Sequence, residues 1–162
     1  MSYAVYTTRG FILGSAPSGE ASKTYSIYTE EFGLIAARAQ GVRLLASKLR
    51  YNLEEYSLAT LSLVRGREVW RVTGAEKEPL PGSGARMRAR ILNLARRLVQ
   101  GEERNDILFS ALLCLKDEKA SETAILAEIL SGLGYLDKET LKGKSDREII
   151  VDINRALKET HL

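Results

Sequence analysis

The sequence predicts an α+β protein in which a strand-rich N-terminal half is followed by a helical C-terminal half. Up to residue 74, apolar and polar side chains alternate in short runs, a pattern typical of half-buried strands. From residue 85 onward, apolar side chains recur every three or four residues, as amphipathic helices require. The stretch between them is rich in proline and glycine, which indicates a linker. We therefore expect a barrel at 1–74, a linker at 75–84 and a helical domain at 85–162.

Five strands are expected in the N-terminal half. They are residues 3–13, 24–29, 34–40, 57–64 and 68–73. The second and third form a hairpin that turns at Gly33, a residue that tolerates a positive φ. Gly10 inside the first strand predicts a bulge or a sharp bend. Five strands within about seventy residues, with one longer connection before the fourth, are typical of a small closed barrel of the OB type.

The connection before the fourth strand and the C-terminal half both carry helix-like spacing. Apolar residues at 44, 45, 49 and 53 favour a short helix, with a structured loop as the alternative. Four helices follow the linker, with apolar stripes that begin at Met87, Ile107, Ile125 and Ile149. Their predicted N-caps are Asn105 or Asp106, Ser121, and Ser145 in a capping box with Glu148. Because such helices are not stable alone, we expect a bundle.

Charge and residue counts narrow the classes of function. The 162-residue chain has a net charge of +3, and the first 74 residues carry all of it, with nine Lys and Arg against six Asp and Glu. This asymmetry favours a polyanionic partner. Single Cys114 and single His161 exclude an internal disulfide, a cysteine-rich metal site and a Ser/His/Asp arrangement, so we expect neither an enzyme nor a cofactor. Without an apolar span or leader sequence, a cytoplasmic protein that does not bind membranes is expected.

The N-terminal half contains the candidate nucleic-acid site. Cationic residues cluster on the hairpin, on the loop after it and around the second turn, where they would neutralise phosphates and release counterions. Exposed tyrosines would stack on bases, and a place in the core is the alternative for each. The candidates are Lys23, Arg38, Arg43, Lys48, Arg50, Arg65, Arg67, Arg71, Tyr28 and Tyr51.

A second candidate surface lies on the first helix after the linker. At 100° per residue, Arg86, Arg90 and Arg97 lie within about 60° of one another and form a ridge. Leu94 adds an apolar anchor beside it. The ridge suits DNA or an acidic peptide. The alternative is a solvated face paired with neighbouring acids such as Glu102 and Glu103.

The order of short motifs between residues 19 and 53 resembles the bacterial recombination mediator RecO. The motifs are Gly19-Glu20, Ser22-Lys23, Tyr28-Thr29 followed by Gly33, the run Ala39-Gln-Gly-Val-Arg43 and Ser47-Lys48-Leu49. A looser likeness continues in the helical half, through Leu108-Phe109 and residues 130–136. Family members carry a four-cysteine zinc module after the position of Leu136, whereas residues 137–144 here contain neither Cys nor His.

The resemblance implies a DNA-binding recombination mediator. Its expected activities are binding of single- and double-stranded DNA, annealing of strands coated by single-stranded DNA-binding protein (SSB), and loading of RecA with the partner RecR. It also implies that the acidic SSB tail docks on the helical domain, where Arg86, Arg90, Arg97 and Leu94 lie. We expect a monomer associated with the nucleoid. Two alternatives stay open: an adaptor that binds SSB or RecR with little DNA binding, and an RNA-binding OB protein.

Overall fold

The computed structural model describes residues 2–161, which divide into two compact units. The first unit comprises the residues up to Leu80 together with Val99–Arg104. The second comprises Pro81–Leu98 and the residues from Asn105 onward. The six residues after the first helix therefore belong with the strands, which no periodicity in the sequence indicated.

The first unit is a closed five-stranded barrel, so the predicted fold class is confirmed. Its strands are β1 (Val5–Pro17), β2 (Lys23–Thr29), β3 (Gly33–Ala39), β4 (Leu58–Val64) and β5 (Trp70–Glu78). They neighbour one another in the order β1, β2, β3, β5, β4, and β4 pairs back onto β1. All pairs are antiparallel except β3 and β5, which meet in parallel at Ala37↔Trp70 and Arg38↔Arg71.

The barrel interior is filled by the side chains that alternate inward along each strand. Tyr25 and Ile27, which alternate with Ser26 and Tyr28 along β2, pack there with Ile35 and Ala37 of β3. Ile12, Leu61 and Trp70 complete the layer, and each of these residues is at least 97% buried. Burial of one large apolar side chain contributes roughly 1.5–3 kcal/mol, so this layer makes a large contribution to the stability of the barrel.

Two strands run beyond their predicted ends. β1 continues to Pro17, and its register shifts between Ile12 and Gly14 rather than at Gly10. Gly10 instead lies inside the barrel, where an added Cβ would stand 2.7 Å from Ile27 Cγ2. β5 continues to Glu78, which pairs with Leu58, so the first residues of the predicted linker are strand. These residues were not predicted as strand, because their charged side chains interrupt the alternation of apolar and polar residues from which the strands were predicted.

The connection between β3 and β4 is a series of turns, so the helix favoured by its apolar spacing is wrong. Leu53 is buried in the barrel core, and Leu49 packs partly against it. Leu44 and Leu45, in contrast, are exposed. Leu49 and Leu53 therefore reach the core separately, and the four apolar residues do not form one helical face.

The second unit is helical. It contains α1 (Ala85–Leu98), α2 (Asp106–Leu113), α3 (Glu122–Gly132), α4 (Lys138–Leu141) and α5 (Asp146–Glu159). Asn105 caps α2 by accepting a 2.9 Å hydrogen bond from Leu108 N, and Glu148 accepts one of 2.8 Å from Ser145 N. α4 was not predicted because its four residues are too short to show a stripe. None of the described helices is long and apolar enough to span a membrane.

Candidate nucleic-acid interface

The barrel brings seven of the eight predicted cations together in two grooves. The first, here called the β5 groove, consists of two adjoining cavities of about 560 and 580 Å³. Its polar and aromatic lining consists mainly of cations with one carboxylate, and includes Tyr3, Arg38, Gln40, Arg65, Arg67, Glu68 and Arg71. The second, here called the loop groove, has a volume of about 520 Å³. Its charged and aromatic lining includes Lys23, Tyr25, Arg43, Arg50, Tyr51, Glu54 and Glu55.

Arg38 and Arg71 form the centre of the β5 groove. They are direct register partners on β3 and β5, so their Cα atoms are neighbours across the sheet. Both alternate with buried residues, as Arg38 follows Ala37 and Arg71 precedes Val72, and both side chains therefore point away from the core. Two outward guanidinium groups on adjacent strands can hold successive phosphates of one strand.

Tyr3 completes the aromatic lining of this groove and was missed by the sequence reasoning. The guanidinium carbon of Arg71 lies 5.5 Å from its ring centroid, a cation–π arrangement. The Tyr3 side chain is 61% exposed, so its ring remains accessible to a base. Its position at the start of the first predicted strand gave no indication that the ring would stand beside β5.

Arg65 is held by a carboxylate from the segment Val99–Arg104. Its guanidinium carbon stands 4.9 Å from the Trp70 ring centroid, and its Nη2 lies 3.1 Å from Glu102 Oε2. Trp70 Nε1 donates a hydrogen bond of 3.1 Å to the other oxygen of Glu102. Gly101 O accepts from Leu34 N, which ties the segment to β3. One acidic side chain is thereby fixed beside an arginine of the β5 groove.

The two grooves adjoin the same turn, at residues 18 and 19. Arg38 Nη2 lies 3.5 Å from Ser18 O, and Arg43 Nη1 donates a 3.1 Å hydrogen bond to Gly19 O. Arg43 N also donates to Ala21 O at 3.0 Å. Arg38 and Arg43 therefore flank one short turn, so cationic side chains continue from one groove to the other.

The loop groove is less cationic than the sequence suggested. Glu54 and Glu55 line it together with the predicted cations, and Ser15 Oγ donates to Glu55 at 2.8 Å. Glu54 is paired with Lys77. Burial, and then the charge of Glu55, raise the pKa of Tyr25, so its hydroxyl stays protonated at neutral pH. The groove thus offers mixed charge and a hydroxyl where a uniformly basic surface was expected.

The remaining barrel candidates differ in exposure. Tyr51 is 65% exposed in the loop groove, and Lys48 is exposed on the preceding turn. Tyr28 is only 1% exposed, so its predicted stacking on a base is wrong. It pairs in register with buried Phe11, which in turn pairs with buried Leu58. Tyr28 lies on the side of β2 opposite Tyr25 and Ile27, and the alternation of side chains along a strand does not report whether that side meets water.

On α1, Arg86 and Arg97 are exposed, while Leu94 is half-buried. Arg90 is engaged by Glu122, with Nε–Oε1 at 3.0 Å and Nη2–Oε2 at 2.8 Å. The acid that pairs with the ridge is therefore Glu122 and not Glu102 or Glu103, which belong to the barrel unit. The prediction of a ridge in which all three arginines can bind a partner is consequently wrong, because Glu122 already forms a bidentate ion pair with Arg90.

The Arg90–Glu122 pair predicts a pH dependence of stability. Hydrogen bonding to Arg90 lowers the pKa of Glu122 in the folded state. A lowered folded pKa adds stability above the ordinary Glu pKa of about 4.3, and that stability is lost as the pH falls through the lowered value. We expect Glu122→Gln to reduce the free energy of unfolding by less than about 1 kcal/mol at pH 7, and this deficit to shrink as the pH falls through the lowered pKa towards pH 3.

Urea unfolding followed by circular dichroism at both pH values measures this difference. Glu118→Gln, which removes an exposed carboxylate just before α3, is the matched control and should show no comparable pH dependence. A Glu122→Gln deficit that is equally large at pH 3 would contradict the assignment.

The interface has the chemistry of anion binding and base stacking. Guanidinium and ammonium groups supply fixed positive charge, and two exposed tyrosines, Tyr3 and Tyr51, supply flat apolar surfaces. Within residues 2–161, no group of three or more His, Cys, Asp and Glu side chains is placed to hold a metal ion. These features suit a ligand that is a polyanion and also exposes aromatic bases.

The sequence of the barrel is similar to that of known DNA repair proteins. The family model described as "Recombination protein O N terminal" matches residues 1–78. "DNA repair protein RecO" of Rubrobacter xylanophilus is 37% identical over 73 residues, which are 45% of this chain and 29% of that protein. The protein of the same name from Gloeothece citriformis is 38% identical over 78 residues, 48% of this chain and 28% of that protein.

A longer match extends into the helical half. "DNA repair protein RecO" of Synechocystis is 27% identical over 135 residues, which are 83% of this chain and 45% of that protein. The matches thus span less than half the length of these curated relatives. Residues 1–78, which contain the five-stranded barrel, therefore match the N-terminal domain of the RecO family.

Proposed function

We propose that the protein binds DNA through the barrel and acts in recombinational DNA repair as a mediator of the RecO type. The observation that carries this proposal is the register pair Arg38 and Arg71 in the β5 groove, with exposed Tyr3 against Arg71. In OB barrels, the sheet face and the loops around it are where oligonucleotides bind. The relatives named above are DNA repair proteins, which favours DNA as the polyanion.

The proposed mechanism is neutralisation of the DNA backbone without reading of sequence. Arg38, Arg67 and Arg71 bind phosphates of one strand in the β5 groove, and Arg43 extends the contact around the turn at residues 18 and 19. Tyr3 and Tyr51 offer rings for stacking, worth roughly 1–3 kcal/mol per base. A strand whose charge is screened in this way repels its complement less, so annealing becomes easier.

The proposed partners are SSB and RecR, with which the protein would help to load RecA onto SSB-coated single strands. The proposed docking site for the acidic SSB tail is the part of α1 that presents Arg86, Arg97 and half-buried Leu94. Positive charge beside an apolar side chain complements an acidic peptide that ends in apolar residues. Arg90 contributes only after it leaves Glu122.

Fluorescence anisotropy of a labelled single strand of about 30 nucleotides tests the DNA-binding proposal, since one OB fold covers about 4–16 nucleotides. The affinity should fall steeply from low to near-physiological salt. A matched RNA strand should bind less tightly than DNA, and an equal or higher RNA affinity would favour the RNA-binding alternative. Absence of binding at low salt would contradict this mechanism and leave the adaptor alternative. Glu54, Glu55 and Glu102 favour that alternative, because they reduce the positive charge of the two grooves.

Removal of the charge of Glu102 should strengthen DNA binding. Glu102→Gln keeps an oxygen that can accept from Trp70 Nε1 and removes the carboxylate that pairs with Arg65. An exposed pair of this kind is worth about 0.2–1 kcal/mol, so we expect the affinity for the single strand to rise about two- to fivefold.

The same anisotropy titration measures this rise. Glu139→Gln, which removes a carboxylate paired with Lys142 in the helical unit, is the matched control for net charge. An equal rise in both variants would mean that only the overall charge matters and that Arg65 does not contact DNA.

A further inference from the structure

The turns between β3 and β4 expose two consecutive leucines that the interface described above does not use. Leu44 is 57% exposed and Leu45 is 85% exposed. Among the large apolar side chains of residues 2–161, Leu45 is the most exposed. A pair of adjacent exposed leucines on one loop tip is unlike scattered single apolar residues, which need no explanation.

The loop tip is held in place from both sides. Val42 before it and Leu53 after it are buried in the barrel core. Leu44 N donates to Gly41 O at 3.0 Å, and Ser47 N donates to Leu44 O at 3.0 Å. Gly41 has a φ of 68°, the left-handed conformation that this turn needs. The leucines therefore stand on a defined turn.

The two leucines differ in their surroundings. Leu44 Cδ1 lies 3.6 Å from the position that a Cβ on Gly41 would take, so its side chain rests on the turn. Leu45 is the more exposed of the two and forms the apolar point of the tip. Leu44 is thus anchored on the turn, whereas Leu45 presents more of its side chain to solvent.

Cationic residues flank the two leucines in sequence and indicate what the leucines contact. Arg43 precedes the leucines, Lys48 and Arg50 follow them, and residues 41–53 contain no acidic residue. Arg43 and Arg50 line the loop groove together with Glu54 and Glu55, and the two leucines directly follow Arg43 in the chain. An apolar side chain between cations is the combination with which DNA-bending proteins unstack a base step, the cations holding the phosphates on either side.

We propose that Leu45, supported by Leu44, is a wedge that inserts between adjacent bases of DNA whose phosphates lie on Arg43 and Arg50. This inference rests on the proposed DNA binding and adds a separate capacity, local unstacking of bases. DNA with a mismatch or a junction between single and double strands is the preferred ligand, because its bases are already less well stacked. Exposure of base edges at such a step also provides a starting point for pairing with another strand.

Duplexes of about 20 base pairs with one central mismatch, carrying 2-aminopurine at successive positions, test the wedge, because this base becomes more fluorescent when it is unstacked. Binding of the wild type should raise the fluorescence at one or two adjacent positions. Leu45→Ala should abolish the rise and lower the affinity for the mismatched duplex about tenfold. Its salt dependence should be unchanged since no charge is altered. Leu45→Phe should restore the rise.

Val151→Ala is the matched control, because Val151 is 56% exposed on α5 in the helical unit and should behave as the wild type. If the wild type binds without any fluorescence rise, the wedge is overturned and the proposed DNA binding stands. The same holds if Leu45→Ala shows the fluorescence rise and the affinity of the wild type. Leu45-dependent binding to vesicles that contain phosphatidylserine, with DNA binding unaffected by Leu45→Ala, overturns it in favour of a lipid contact. Absence of any DNA binding removes both proposals.

Discussion

Replacement of both Arg38 and Arg71 by glutamine should lower the affinity for single-stranded DNA by about a hundredfold or more at moderate salt, since two hydrogen bonds to charged groups are lost and each is worth about 1.5–3 kcal/mol. The two residues are register partners on β3 and β5, so one bound strand would contact both. Each lost phosphate contact should also reduce the slope of log affinity against log salt by about 0.7. Glutamine keeps polar side chains of similar reach, so the barrel should remain folded.

The matched control is the double variant Arg147→Gln with Lys158→Gln, which removes two exposed cations from α5. It changes the net charge of the chain by the same amount at a distance in sequence from the barrel. We expect it to retain most of the affinity and the full salt slope. An equal loss in both double variants would mean that net charge, and not the β5 groove, governs binding.

Gly33→Ala should destabilise the barrel by about 3 kcal/mol or more, because two separate causes act at this position. Gly33 has a φ of 67°, which a residue with a Cβ adopts at a cost of about 1–2 kcal/mol. An added Cβ would also stand 2.3 Å from Glu103 O and 2.6 Å from Glu103 N. Those are backbone atoms, so the segment Val99–Arg104 must move and its bond from Leu34 N to Gly101 O is put at risk.

Two other glycines separate these causes. Gly101 has a φ of 77° and no atom within 4 Å of an added Cβ, so Gly101→Ala should show only the conformational cost of about 1–2 kcal/mol. Gly82 has neither constraint, so Gly82→Ala should be neutral or stabilising by about 0.4–1 kcal/mol. Urea unfolding followed by the fluorescence of Trp70, the single tryptophan, reports on the barrel, and circular dichroism reports on the helical unit that contains Gly82. Equal losses in the Gly33 and Gly101 variants would show that Val99–Arg104 moves aside freely.

The sequence determined the parts of this protein that depend on local pattern. Period-two alternation located the strands of the barrel, and Gly33 marked the hairpin turn that the structure contains. Helical spacing and capping residues located the four longer helices. These signals are readable without a partner, because side-chain direction and backbone freedom are properties of a few neighbouring residues.

Only the tertiary structure decided which side chains are available. Tyr28 lies outside the barrel interior yet is buried, and Tyr3 near the start of the chain stands over Arg71 of β5. Arg90 meets Glu122 of another helix, and Glu102 comes back from beyond α1 to Arg65. Each of these contacts joins residues at least 30 positions apart or depends on what covers a sheet face. Folding brings such sequence-distant groups into contact. A local sequence pattern does not predict these contacts, because the exposure and charge pairing of a side chain depend on which distant residue packs against it.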